Sequence, residues 1–95
     1  MHIISIKRLR EFWAIYEDAE GPLRVWQSIA SKAQWGSIAE IRRSYPHADF
    51  VTPNHTVFNI EGNTYRLIVK IEYRSRIIFI NTVLTHVQYD KGLWK

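Results

Sequence analysis

The segment from Tyr65 to Tyr73 limits the possible folds most, because apolar and polar side chains alternate along it. Apolar residues occupy every second position, which is the period of an extended strand, so one side of this strand can pack on helices. The other side carries three cations, Arg66, Lys70 and Arg74. This pattern is typical of a sheet whose open face binds phosphates, and also of an ordinary solvated face.

Helices are predicted in the first half of the chain. Residues 2–4 predict a short strand, and apolar spacings of three and four then predict two helices over residues 6–16 and 22–34. Ser5 is expected to cap the first helix through its hydroxyl. Ser37 and Glu40 have the spacing of a capping box, which predicts a third helix ending near residue 44.

The second half predicts a loop over residues 46–54 and then three strands, over residues 56–60, 65–73 and 76–84. The run from Ile77 to Ile80 has no polar side, so the last strand is expected to be covered on both faces. The predicted fold class is therefore α+β. A short N-terminal strand and two to three helices pack on an antiparallel sheet, made mainly by a C-terminal three-strand meander, in one domain spanning residues 1–95.

Charge and composition exclude several classes of protein. The net charge is +4, and the excess is greater in residues 51–95, where six Lys/Arg face three Asp/Glu, than in residues 1–50, where seven face six. This asymmetry favours a polyanionic partner. The chain has no cysteine, which excludes disulfides and thiol sites and fits a cytosolic protein. No apolar run is long enough to span a membrane, and the four histidines lack metal-ligand spacing, so no metal is predicted.

The residues with useful chemistry are the basic strand and a C-terminal cluster of His86, Tyr89, Asp90 and Lys91. Cleavage of RNA without a metal needs a base for the 2′-hydroxyl, cations for the phosphorane and an acid for the leaving 5′-oxygen. Histidine is the side-chain type in this cluster that can act as a base near neutrality, which makes His86 a candidate, and Tyr89 could act as the base if nearby cations lowered its pKa. The alternative to a catalytic cluster is a set of ordinary structural roles, with a surface histidine, a packed tyrosine ring and a solvated Asp90–Lys91 pair.

Four segments of this chain, taken in order, resemble HigB-type toxins of the RelE-like superfamily of type II toxin–antitoxin systems. They are residues 18–23 (DAEGPL) followed by Trp26, then residues 45–51, 57–71 and 85–91. The resemblance implies a cytoplasmic mRNA endoribonuclease that needs no cofactor and often acts on mRNA held in the ribosomal A site. It also implies a cognate helix-turn-helix antitoxin of the HigA type, through which alone the toxin would associate with operator DNA.

The resemblance also implies roles for individual side chains. The expected catalytic residues are Arg66, Lys70, His86, Tyr89 and Lys91. Expected RNA contacts are Asn59, Arg74 and Arg76. Attack of the 2′-hydroxyl on the adjacent phosphate would leave a 2′,3′-cyclic phosphate or 3′-phosphate and a 5′-hydroxyl, with His86 or Tyr89 as the base. Two alternatives stay open, namely a non-catalytic module that binds RNA or the ribosome, and an inactive relative that binds only an antitoxin.

Overall fold

The computed structural model describes residues 1–94. The elements in chain order are β1 (His2–Ile4), α1 (Lys7–Ile15), a 3-10 turn (Glu17–Ala19), α2 (Glu20–Lys32), α3 (Ile38–Ser44), β2 (Asp49–Val51), β3 (His55–Ile60), β4 (Tyr65–Glu72), β5 (Ile77–Thr85) and α4 (His86–Asp90). The α+β class, the N-terminal strand and the C-terminal meander are confirmed. None of the helices in this part of the chain is long and apolar enough to cross a membrane.

The five strands form one sheet in the order β1-β5-β4-β3-β2. The meander β3-β4-β5 is antiparallel, and β1 is parallel to β5 at one edge. The expected loop over residues 46–54 is wrong at β2, where Asp49 and Val51 pair with Val57 and His55. Three residues are too few to show an alternating pattern, so this edge strand has no clear sequence signal.

The alternation of β4 is confirmed, because Tyr65, Leu67 and Val69 point into the main core beneath the helices. Phe58 of β3 lies at the centre of this core and is fully buried. Its ring contacts three other aromatic rings at centroid distances of 5.3–6.0 Å, from Trp26, Trp35 and Tyr45. The helices therefore pack on one face of the sheet and leave the opposite face for other contacts.

A second aromatic cluster joins β4 to the connection between α1 and α2. The Tyr65 ring packs edge-on against Phe12 at 5.2 Å, and Phe12 stacks on Tyr16 at 4.6 Å. The Tyr65 hydroxyl donates a hydrogen bond to the carboxylate of Asp18. This hydrogen bond is the first cause of the rise in the pKa of Tyr65 to about 12. Asp18 thereby ties the helical layer to the sheet.

The two predicted helix caps have different outcomes. Ser5 does not cap α1, since it lies at φ 73° and α1 begins without a side-chain cap. The Ser5 carbonyl instead accepts a hydrogen bond from the Arg8 amide at 3.0 Å. Ser37 does cap α3, because its hydroxyl accepts from the Glu40 amide at 3.3 Å. The Glu40 carboxylate accepts from the amide of Gly36 rather than that of Ser37.

The expectation that β5 is covered on both faces is wrong at Phe79, whose side chain is 41% exposed. Ile78 and Ile80 on either side of it are buried in the main core. A β-bulge follows, because Ile68 pairs with Thr82 while Val69 pairs with Ile80. Because of the bulge, the core-facing residues of β5 remain opposite the core-facing residues of β4. Phe79 therefore points to the face without helices.

Candidate functional site

The face of the sheet opposite the helices is called here the open face. Pairing between β3, β4 and β5 arranges it in rows, in which Asn59, Arg66 and Leu84 are neighbours, as are Val57, Ile68 and Thr82. Lys70 is the direct cross-strand neighbour of Phe79. The predicted basic side of β4 is therefore real, but an apolar row separates Arg66 from Lys70.

The C-terminal segment, residues 86–94, covers the middle of the open face. It leaves β5 through a capping box, in which the Thr85 hydroxyl accepts from the Gln88 amide at 3.2 Å and the Gln88 side chain accepts from the Thr85 amide at 3.0 Å. Val57 and Ile68 are 2% and 0% exposed although they lie outside the main core. The C-terminal segment thus buries a small second apolar cluster.

Trp94 holds this segment to the sheet. Its ring stacks on Tyr89 at 5.2 Å with an interplanar angle of 16°. The Trp94 Nε1 donates a hydrogen bond to the Tyr89 carbonyl at 3.1 Å, and the ring meets His55 edge-on at 5.5 Å. These contacts reach from α4 to β3, so they fix the position of the Tyr89 ring over the open face.

Arg66 and Tyr89 form the central contact of the site. The guanidinium carbon of Arg66 lies 5.4 Å from the centroid of the Tyr89 ring, in cation–π geometry. Arg66 Nη1 donates to the carbonyls of Asn63 at 2.7 Å and of Tyr65 at 3.2 Å. Asn59, beside it, donates to the Asn63 side chain at 3.2 Å. The guanidinium is thus oriented while several of its five N–H donors stay available for an anion.

Burial raises the pKa of Tyr89 above its usual value of 10.0. The carboxylates of Asp49 and Asp90 raise it further, and Arg66 opposes them. The cations therefore do not bring this pKa below its usual range, as a role for Tyr89 as general base required. At neutral pH the hydroxyl keeps its proton and is available as a donor.

The predicted cations Lys70, Arg74 and Lys91 are all exposed. Within residues 1–94 none of their charged groups forms a hydrogen bond or an ion pair. Lys91 lines a shallow cleft with Leu84 and Trp94 beside the C-terminal segment. In the same part of the chain, no three His, Cys, Asp or Glu side chains are grouped so that they could bind one metal ion.

Within residues 1–94, His86 forms no hydrogen bond or ring contact with Arg66 or Tyr89. It begins α4, its amide donates to the Thr64 carbonyl at 2.9 Å, and its Nδ1 lies 2.9 Å from a carboxylate oxygen of Asp90. Its side chain lines a cleft with Tyr16 and Tyr65, near the end of α1. The turn at Asn63 and Thr64 nonetheless anchors both Arg66 and His86, so one ligand crossing this turn could reach both.

Arg76 has a structural role at the other end of the sheet. Its Nη1 donates to the carbonyls of Gln34 at 2.6 Å and Trp35 at 3.3 Å, which ties the start of β5 to the connection between α2 and α3. The RNA contact expected of Arg76 stays a prediction.

Three side chains at the site were not anticipated, namely His55, Asp49 and Trp94. His55 is 8% exposed, and no group among residues 1–94 hydrogen-bonds to its buried Nδ1. The two-residue period of β3 puts His55 on the same face as Asn59, and this signal could have revealed it. The position of Asp49 at the site depends on strand β2, which was not predicted. Trp94 follows a short helix, where periodicity gives no information.

Comparison with known proteins finds relatives over most of the chain. Residues 19–92 match the HigB toxin family, described as the RelE-like toxic component of a toxin–antitoxin system. The chain is 26% identical over 92 residues to the mRNA interferase toxin HigB of Escherichia coli K12, covering 95% of this chain and 88% of that protein. It is 27% identical over 93 residues to the mRNA interferase HigB of Escherichia coli O6:H1, covering 96% and 90%. The chain therefore belongs to the HigB family of RelE-like toxins.

Proposed function

We propose that this toxin is an endoribonuclease that inhibits translation by cleaving mRNA through attack of a 2′-hydroxyl on the adjacent phosphate. The observation that carries the proposal is the contact of Arg66 with Tyr89, which joins an oriented phosphate-binding group to a protonated phenol on one basic face. The names of the relatives, which are mRNA interferases, support mRNA cleavage. The products are a 2′,3′-cyclic phosphate or 3′-phosphate and a 5′-hydroxyl.

In this proposal Arg66 binds the scissile phosphate and stabilises the charge that develops on it. The planar guanidinium suits bidentate contact with two phosphate oxygens. Lys70 and Lys91 add positive charge, which the RNA can neutralise because both side chains are exposed. Asn59 fixes the turn that orients Arg66.

The proposed base is His86 and the proposed acid is Tyr89. The Asp90 carboxylate accepts from His86 Nδ1 and leaves Nε2 to take the proton of the 2′-hydroxyl. Tyr89 keeps its proton at neutral pH because burial raises its pKa, so it can protonate the leaving 5′-oxygen. The reaction is balanced, since one proton enters His86, one leaves Tyr89, the P–O2′ bond forms and the P–O5′ bond breaks.

The proposed partners of the toxin are an antitoxin, operator DNA reached through that antitoxin, and mRNA on the ribosome. A cognate helix-turn-helix antitoxin neutralises it, and contact with operator DNA occurs only through that antitoxin. The mRNA is held by the ribosome during cleavage, so the site of action is the cytoplasm. Coexpression of the cognate antitoxin should restore the growth of cells that produce the toxin.

The decisive experiment is induced expression in cells that lack the antitoxin, followed by growth measurement and mapping of mRNA 5′ ends. Wild type should arrest growth and generate new 5′-hydroxyl ends within coding regions. His86→Ala combined with Tyr89→Phe should do neither, whereas His2→Ala, an exposed histidine on the edge strand β1, should behave as wild type.

Two results would overturn the proposal in different ways. Growth arrest without new 5′ ends would favour a module that binds RNA or the ribosome without cutting. Normal growth with wild type, at confirmed expression, would favour an inactive relative that binds only its antitoxin.

A further inference from the structure

Phe79 is a large apolar side chain in an unusual position, on the open face of a central strand and 41% exposed. Its cross-strand neighbour is Lys70, whose exposed ammonium group has no ion pair among residues 1–94. Side chains directly opposite each other on neighbouring strands have Cβ atoms about 4.5–5.5 Å apart. A flat aromatic ring and an available cation therefore lie side by side.

The C-terminal segment does not cover this pair. Trp94 and Tyr89 pack between Arg66 and His55, over the buried row of Val57 and Ile68. Lys70 and Phe79 belong to the next row and stay accessible. Residues four apart on a strand are separated by about 13 Å, so the pair lies roughly that far from Arg66.

From this arrangement we infer that Phe79 is a stacking platform for an unpaired base of the RNA, at a distance from the scissile phosphate that Arg66 binds, with Lys70 holding the phosphate of the same nucleotide. The inference rests on the proposed function and extends it by assigning a base-binding position. Single-stranded nucleic acids bind through this combination, in which aromatic faces stack on bases and cations follow the backbone.

The same contact contributes to selectivity. A stack on an open ring favours purines, which have the larger face, and it makes no hydrogen bonds that could read the base edge. Phe79 therefore sets a preference in base size at one position relative to the cut, rather than a strict sequence requirement.

Phe50 provides a matched control, because it is also exposed, at 48%, and stands on the same sheet. It pairs with Thr56, which in turn pairs with the core residue Val69, so Phe50 lies on the helix side of the sheet. If removal of any exposed apolar side chain weakened RNA binding, Phe79→Ala and Phe50→Ala would both show the effect. Loss of a base stack would affect Phe79→Ala alone.

The test measures binding of a fluorescein-labelled, fully 2′-O-methylated single-stranded RNA of mixed sequence, together with cleavage of a transcribed mRNA in a reconstituted translation system. Phe79→Ala should weaken RNA binding by about 5- to 150-fold, the range for loss of one base–aromatic stack. Phe79→Trp should retain or strengthen binding, Phe79→Leu should fall between, and Phe50→Ala should match wild type. Circular dichroism of each variant should match wild type, because an exposed side chain is being changed.

The outcomes separate this inference from the proposed function. Normal cleavage and normal RNA binding by Phe79→Ala would overturn the inference and leave the proposed function intact. Phe79→Ala that binds RNA normally but no longer binds the antitoxin would also overturn it, by showing that the ring contacts protein. Wild type that binds the probe through Phe79 but cuts no mRNA would refute the nuclease and support the platform. Wild type that neither binds nor cuts would overturn both.

Discussion

Replacement of Trp94 by alanine should loosen the C-terminal segment from the open face while leaving the rest of the fold in place. Among residues 1–94, the substitution removes the aromatic contacts of Trp94 with Tyr89 and His55 and its hydrogen bond to the Tyr89 carbonyl. Each aromatic pair contributes about 0.5–1.5 kcal/mol and the hydrogen bond about 1 kcal/mol, so the loss is roughly 2–4 kcal/mol. The detached population of the segment should rise by about 30- to 900-fold.

Detachment of the C-terminal segment should also change the pKa of Tyr89. Burial is the main reason that its pKa is raised, and without Trp94 water reaches the ring, so the pKa should fall back toward its usual value. If Tyr89 donates the proton in the rate-limiting step, the alkaline limb of the pH–rate profile should move to lower pH, and cleavage at neutral pH should decline because the ring is no longer held beside Arg66.

The assay combines the pH dependence of kcat/KM for RNA cleavage with hydrogen exchange of residues 86–94. Trp94→Phe keeps a ring for stacking but loses the Nε1 hydrogen bond, so its effect should be intermediate. Trp13→Ala is the control, since this residue lies on α1 and packs under Arg24 at 4.8 Å, on the helical side of the molecule. Faster exchange confined to the C-terminal segment would indicate local detachment.

Tighter RNA binding by Trp94→Ala would contradict this prediction, because it would mean that the C-terminal segment competes with RNA instead of presenting Tyr89 to it. If hydrogen exchange of residues 86–94 increases but the alkaline limb of the pH–rate profile does not move, Tyr89 is not the acid. A loss of global stability equal to the loss in the segment would show that Trp94 belongs to the cooperative core.

Three further predictions concern single side chains. Arg66→Lys keeps the charge but loses the planar fork and the contact with the Tyr89 ring. Cleavage should therefore fall toward the roughly 10²–10³-fold loss expected for removing one donor to a developing charge, with only a small loss of stability in urea denaturation. Arg76→Ala should lower the free energy of unfolding by about 1–3 kcal/mol and leave RNA affinity unchanged; weaker RNA binding at unchanged stability would instead support the RNA contact. Because the pKa of Tyr65 is raised from 10.0 to about 12, its contribution to stability is present below about pH 10 and is lost as the pH rises to about 12. Tyr65→Phe should remove that pH dependence, and an unchanged alkaline unfolding curve would contradict it.

Most of the fold could be predicted because β4 has a strict two-residue period and the helices have clear apolar spacing. The same reasoning failed where a pattern was too short or too uniform. β2 has only three residues, and the run around Phe79 is apolar on both sides, so periodicity could not distinguish a buried position from an exposed one. Only the pairing of β5 with β4, shifted by the bulge, assigns Phe79 to the open face.

The sequence indicated Arg66 and Tyr89 as candidate residues, and they meet in the structure, but it did not indicate the arrangement of the site or the side chains of His55, Asp49 and Trp94. Sequence chemistry grouped His86 with Tyr89, yet the start of α4 turns His86 toward the cleft near Tyr16. The spacing of Thr85 and Gln88 matches a capping box, so the start of this helix was readable from the sequence. The direction in which the helix leaves β5 depends on tertiary packing of Trp94, which no local pattern contains.

The position of the C-terminal segment limits how RNA can lie on the proposed site. Val57 and Ile68 are covered by it, so the backbone of the RNA cannot rest on the middle row of the open face. Arg66 contacts the Tyr89 ring, and Lys70 lies beyond the covered row that contains Ile68. RNA that contacts both cations must therefore cross the row that the C-terminal segment covers. An RNA–protein crosslink from a photoreactive base should then reach Trp94 or Phe79 before any residue of β3.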